Sequence, residues 1–283
     1  MKSFLVALRY LTILPGAPRG GAEDDALSRS LPWFPVIGLL LGVVASAFAW
    51  CTPHVFPDLP SAVLIVILMA VAGGGTSLVG LAQSADRLCR RGGGAADRPA
   101  HAGIGAIAAA AVACSLMIKA AGVAEVPDLF RWKAVLLIPL AGRCAMALAG
   151  GILAAPAAGA EGRLAFVIRS APGRGLCAIW AAAVLVAVAC GMYALPDPLD
   201  YDQAAWLARG LRGITAAGVC IVTTLVLAGC IRLRGGRAHA DTLGAICEIA
   251  EAVTIVCLVS YELIDPFRQY VLGSYVAAAG GAA

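Results

Sequence analysis

The chain has 283 residues, 61% of them hydrophobic and only 13% charged, with a mean hydropathy of +0.88. Soluble domains run at about 45–50% apolar and about 25% charged, so this composition cannot coat a soluble globule, and it is far too apolar for a disordered chain. The net charge of +4, with no basic run and no basic patch interleaved with aromatics, argues against a nucleic-acid partner and suits contact with an anionic leaflet.

The N-terminal stretch Met1 to Pro15 is apolar but short, and Arg9 interrupts it. A signal peptide needs an unbroken apolar region and a small-residue cleavage site, so residues 1–30 read instead as an interfacial segment. Its helix lies on the cytoplasmic surface, and a polar loop follows from Gly16 to Arg29. A helix crossing a membrane needs about 20 apolar residues at a rise of about 1.5 Å each. Segments near 31–52, 61–82, 103–124, 132–155, 176–195, 212–231 and 244–264 meet that length. Their continuous apolar character excludes the alternating strands of an outer-membrane barrel. The expected fold is all-α: a polytopic transmembrane helix bundle of about seven spans in one membrane domain, 1–283. Trp33 and Trp50 bracket the first span and Trp132 opens the fourth, as interface markers do. Gly73-Gly74-Gly75 falls inside the second span and reads as a close-packing site.

Most of the 21 Lys and Arg residues fall on one side of this topology. Lys2, Arg9, Arg19 and Arg29 precede the first span; Arg87, Arg90, Arg91 and Arg98 follow the second. Arg163, Arg169 and Arg174 follow the fourth, and Arg232, Arg234 and Arg237 follow the sixth. The positive-inside bias therefore places the N-terminus in the cytoplasm and the C-terminus outside. The ten cysteines sit mostly in apolar blocks, without Cys-x-x-Cys or zinc spacing, and read as small packing residues.

Charges within spans cost about 2.5–3.5 kcal/mol at the centre on insertion scales, so they mark candidate chemistry. Lys119 and Glu262 lie toward the outer ends of their spans and are expected to snorkel. Arg143 lies about 16 Å beyond Trp132 and needs a carboxylate, a phosphate or a water-filled cavity. Two readings stand for it, a ligand-binding role and a structural ion pair with an acid such as Glu251. Glu248 and Glu251, at i and i+3, share one face of the seventh span, and Asp241 precedes Glu248 by seven residues. Asp241, Glu248 and Glu251 form an acidic stripe running inward from the cytoplasmic surface, suited to magnesium, which takes one or two carboxylates together with substrate phosphates. Helix capping by Asp241 is the alternative. Asp86, His239 and Glu161 lie on the same side, Asp86 as a metal ligand or a cap. Lone His54 and His101 suggest no chemistry, and no Walker-A, H-E-x-x-H or G-x-S-x-G pattern occurs.

These residues carry a resemblance. The opening Leu5-Val6-Ala7-Leu8-Arg9-Tyr10-Leu11-Thr12-Ile13-Leu14-Pro15, the stretch from Phe34 to Gly42, Arg143 in the fourth span, and Asp241-Thr242-Leu243-Gly244-Ala245 followed by Glu248 and Glu251 resemble the cobalamin synthase family. That family is the adenosylcobinamide-GDP ribazoletransferases, and its signature reads Gly-Asp-Thr-x-Gly-Ala-x-x-Glu. The resemblance implies magnesium-dependent phosphoryl transfer at the bacterial inner membrane, joining adenosylcobinamide-GDP to α-ribazole with release of GMP. It implies Asp241 and Glu248 as catalytic residues, Arg143 and Glu251 as cofactor-binding residues, and Asp86, Asp241 and Glu248 as the metal set. The implied partners are the corrinoid nucleotide, α-ribazole, the lipid bilayer and other cobalamin-biosynthesis enzymes. The stretch Ser77 to Asp86 stands where the family carries His-x-Asp-Gly-x-x-Asp-x-x-Asp, and keeps only the last aspartate. That depletion motivates two further readings, a non-catalytic paralogue that binds a corrinoid or a partner enzyme, and a membrane transporter.

Overall fold

A computed structural model describes residues 2–13, 29–89, 105–153, 173–194, 205–233 and 240–264. Among them are nine α-helices and no strand: α1 Lys2–Leu11, α2 Phe34–Cys51, α3 Asp58–Ala72, α4 Thr76–Cys89, α5 Ala106–Glu125, α6 Asp128–Ile152, α7 Arg174–Ala194, α8 Ala205–Leu233 and α9 Ala240–Ile264. Short 3-10 turns, Leu31–Trp33 and Thr52–His54, flank α2. Six segments are long and apolar enough to cross a membrane as single helices; one contains α2 and the others lie along α5 to α9.

The α6 span is the centre of the bundle. Buried residues make up 89% of its apolar window, against 28% in α5, α7 and α8. Helices α2, α7, α8 and α9 all pack on it. The approach of α2 follows from its sequence: Gly38, Gly42 and Ser46 recur every fourth residue and so form one face. A side chain at Gly42 would collide with the Leu136 carbonyl of α6. Ser46 Oγ donates to the Trp132 carbonyl at 3.0 Å on the same face. Small residues thus let the two backbones meet, which is how helices associate where apolar burial alone gives no preference.

The second expected span is not one helix. The apolar run 61–82 divides into α3 and α4, which meet at 90° across Gly73–Gly75. The break has a specific cause. Gly74 N–H donates to Val71 O at 2.9 Å and Gly75 N–H donates to Ala70 O at 3.1 Å. These two bonds are a Schellman ending, and it requires a left-handed residue, here Gly74 at φ 67°, with Gly75 at 64° behind it. The glycine run expected to serve packing therefore ends α3. Ile13 N–H, just beyond α1, donates to Ala72 O at 3.1 Å and satisfies a carbonyl that the break leaves free.

The N-terminal segment is helical over Lys2–Leu11, with Val6, Ala7 and Leu11 buried. Phe4 meets Trp33 edge-on at 5.5 Å, and Tyr10 lies over Phe34 at 6.5 Å. At the opposite end of the bundle, buried Arg131 binds Asp58 at 2.8 Å and Asp128 at 2.5 Å, and its Nε donates to the Val123 and Val126 carbonyls. It ties the start of α3 and the end of α5 to α6.

Candidate active site

Helix α4 runs antiparallel to α9, and three levels of contact set their register. At the deep level, Ser77 Oγ donates to Glu248 Oε1 at 2.6 Å. Midway, the backbones touch: a Cβ on Gly244 would lie 2.9 Å from the Gly80 Cα. At the surface level, Arg87 Nη2 lies 2.5 Å from Asp241 Oδ2, and the Gln83 amide nitrogen faces the same carboxylate. The spacings agree, because seven residues from Asp241 to Glu248 span about 10 Å, and six to ten residues from Ser77 to Gln83 and Arg87 span about 9–15 Å.

The deep level is a closed charge network. Lys119 of α5 donates to Glu248 Oε2 at 2.6 Å and to Glu251 Oε2 at 2.8 Å. Ser115 donates to Glu248 Oε2 at 3.0 Å, so both oxygens of Glu248 are engaged. Arg143 Nη1 lies 2.7 Å from Cys247 Sγ and 3.8 Å from Glu251 Oε1. Two cations and two anions balance within the membrane, as buried charges require. Arg143 is packed against Gly73, where a Cβ would lie 2.9 Å from its Nη2. Its buried Nε has no hydrogen-bond partner among the described residues. A cavity of about 20 Å³ beside Arg143, Lys119, Glu248 and Glu251 has room for one water and not for a nucleotide.

Lys119 therefore does not snorkel, because two carboxylates on α9 offer it a closer partner than the membrane surface. Sequence reasoning missed it: the available signal was two acids at i and i+3 with too few cations nearby, and nothing along the chain says which helix supplies the missing one. Arg143 does reach Glu251, with the Cys247 thiol closer. The side chain of Glu262, and the whole of His101, Glu161 and His239, lie outside the described residues.

The surface level is polar and open. Asp241 lies in the first turn of α9. Asp86 lies on α4 beside Gln83 and Arg87, and its carboxylate is turned to the N-terminus of α5, where a Cβ on Gly105 would lie 2.5 Å from Oδ1. Tyr10 of α1 completes this end. Burial, opposed by Arg143 and reinforced by Asp241, pushes its hydroxyl up to about 12.

The expected metal set does not assemble. Glu248 is two turns below Asp241 with both oxygens occupied, Asp86 faces α5, and Asp241 is held by a guanidinium and an amide. Among the described residues no three His, Cys, Asp or Glu groups converge as a metal site. One magnesium ion held by Asp86, Asp241 and Glu248 does not fit this donor set, which needs free carboxylate oxygens at about 2.1 Å.

Apolar spans, a central buried helix and a polar cluster at one bundle end define a multi-pass membrane protein with its candidate site at that end of the bundle. The profile of the cobalamin-5-phosphate synthase family matches residues 3–259, and the chain belongs to that family. The chain is similar to the adenosylcobinamide-GDP ribazoletransferase of Roseiflexus sp. (strain RS-1), 31% identical over 267 residues that cover 93% of this chain and 90% of the relative. The protein of the same name from Pseudomonas savastanoi pv. phaseolicola is 28% identical, covering 91% and 99%. That from Geotalea daltonii is 24% identical, covering 92% and 98%. No solved structure matches.

Proposed function

We propose that this chain joins adenosylcobinamide-GDP to α-ribazole with release of GMP, at the cytoplasmic face of the bacterial inner membrane. The observation that carries this reading is the full-length correspondence, which runs through the helix that presents Asp241 at the bundle surface. In the reaction the ribazole hydroxyl oxygen forms a bond to the corrinoid-linked phosphorus, the bond to the GMP oxygen breaks, and the hydroxyl proton leaves to base or solvent. Such transfers depend on positioning and on neutralising phosphate charge more than on covalent work by the protein. Asp241 with Gln83 and Arg87 is the group of side chains at hand for that task. Arg143, Glu248 and Glu251, closed into one network by Lys119, serve to hold α4, α5 and α6 on α9.

The test is GMP release by the full chain in liposomes supplied with both substrates. Asp241→Ala should abolish release, because Arg87 loses its anchor. Undiminished release would remove Asp241 from the mechanism. A second reading, a corrinoid-binding paralogue without turnover, is favoured by the occupation of Asp241 by Arg87. Corrinoid binding without GMP release by well-folded wild-type protein would establish that reading in place of the first.

A further inference from the structure

We propose that in this chain the Arg87 guanidinium takes the place of a divalent cation at Asp241, and that Arg87 itself binds the substrate diphosphate. This deepens the transferase reading and rests on it for the identity of the substrate, though not for the metal-free site. Arg87 Nη2 lies 2.5 Å from Asp241 Oδ2, while its side chain is 64% exposed and that of Asp241 only 17%. The carboxylate is thus largely covered and the guanidinium largely presented. Gln83, one turn before Arg87 on the same face, sets its amide against the Asp241 carboxylate, and because two oxygens would otherwise face each other the amide is assigned with its nitrogen toward Asp241, 3.2 Å from Oδ2. A metal ion at these oxygens would have to displace a cation and an amide donor together.

Among the described residues, the remaining carboxylates near this end do not compensate. Asp86 is turned toward Gly105 at the N-terminus of α5, and Glu248 spends its oxygens on Ser77, Ser115 and Lys119. A guanidinium supplies the charge the site lacks without needing any of them. It is a planar fork of five donors, permanently charged and suited to two phosphate oxygens at once. With one nitrogen on Asp241 and most of the side chain exposed, its other donors are open to a ligand.

The experiment uses the full chain in phosphatidylcholine nanodiscs. Mn2+ uptake is followed by paramagnetic resonance, and GDP binding by calorimetry in excess EDTA. Wild-type protein should take up no stoichiometric Mn2+ and should bind GDP in EDTA. Arg87→Ala should weaken that GDP binding at least tenfold, while Arg87→Lys should restore part of it. Gln83→Asp combined with Arg87→Ala returns an open pair of acids to Asp241 and should take up one Mn2+ per chain. Stoichiometric Mn2+ in the wild type, or GDP binding indifferent to Arg87→Ala, would overturn the proposal. Absence of GMP release from the same wild-type preparation would remove the transferase reading and leave the Mn2+ and GDP results to decide the role of Arg87.

Discussion

Lys119 donates to two carboxylates from a helix position where a lysine is expected to reach for the membrane surface. Removing one member of a buried charge pair leaves the other uncompensated, at about 3–5 kcal/mol, whereas replacing both members can be nearly neutral. Lys119→Met should therefore lower the thermal midpoint of the detergent-solubilised protein sharply. Adding Glu248→Met should recover most of that loss, since Arg143 and Glu251 still balance each other. A double variant as unstable as the single one would mean that the network acts through shape and not through charge. Tyr10 allows a pH test. Its folded value, about 12, lies above the usual 10.0, so between those values the native state holds a proton that the unfolded chain has released. The stability it contributes is complete below pH 10 and is lost as pH rises toward 12. The 295 nm titration difference between wild type and Tyr10→Phe should show one phenol ionising near pH 12; ionisation near 10 would place Tyr10 in water.

At the scale of helices, the α4–α9 pair depends on the Gly80–Gly244 crossing. Overpacking a tight contact costs about 1–3 kcal/mol, and here it also pulls Ser77 from Glu248. Gly244→Val should raise amide exchange across 76–89 while leaving α6 protected. Equal exchange in both would contradict the register described. The same elements show what could be read from the chain. The spans in α2 and α5 to α9 were legible because twenty apolar residues need no tertiary information. The N-terminal helix was legible from the charge that interrupts it. The division of the second span was not, because hydropathy runs unbroken through Gly73–Gly75 and only backbone dihedrals distinguish a Schellman ending from a packing stripe. In the site, the Asp241–Glu248–Glu251 stripe was readable from helical spacing. Its partners Lys119, Arg87 and Gln83 come from other helices, and spacing within one helix carries nothing about them.

For the whole molecule, the position of α6 sets where change is tolerated. Ala145 is 1% exposed and Ile179 on α7 is 67% exposed. Ala145→Phe should cut the yield of monodisperse protein after extraction, and Ile179→Ala should leave it unchanged. Equal effects would mean that α6 is not the hub of the bundle.

The right-angled break also bears on how the protein is made. At 15 residues α3 extends about 22 Å, short of a hydrocarbon core of about 30 Å. Helix α4 carries Gln83, Asp86 and Arg87 and cannot settle in lipid unaided. Its berth is α9, which a ribosome delivers about 150 residues later, roughly 8–30 s at ordinary elongation rates. During that interval α4 has α5 but not α9 to pack on, and the candidate site is complete only when α9, the last of the described helices, arrives. A nascent chain stalled before Ala240 would therefore present α4 to membrane quality control, so that surveillance of α9 is also surveillance of the candidate site.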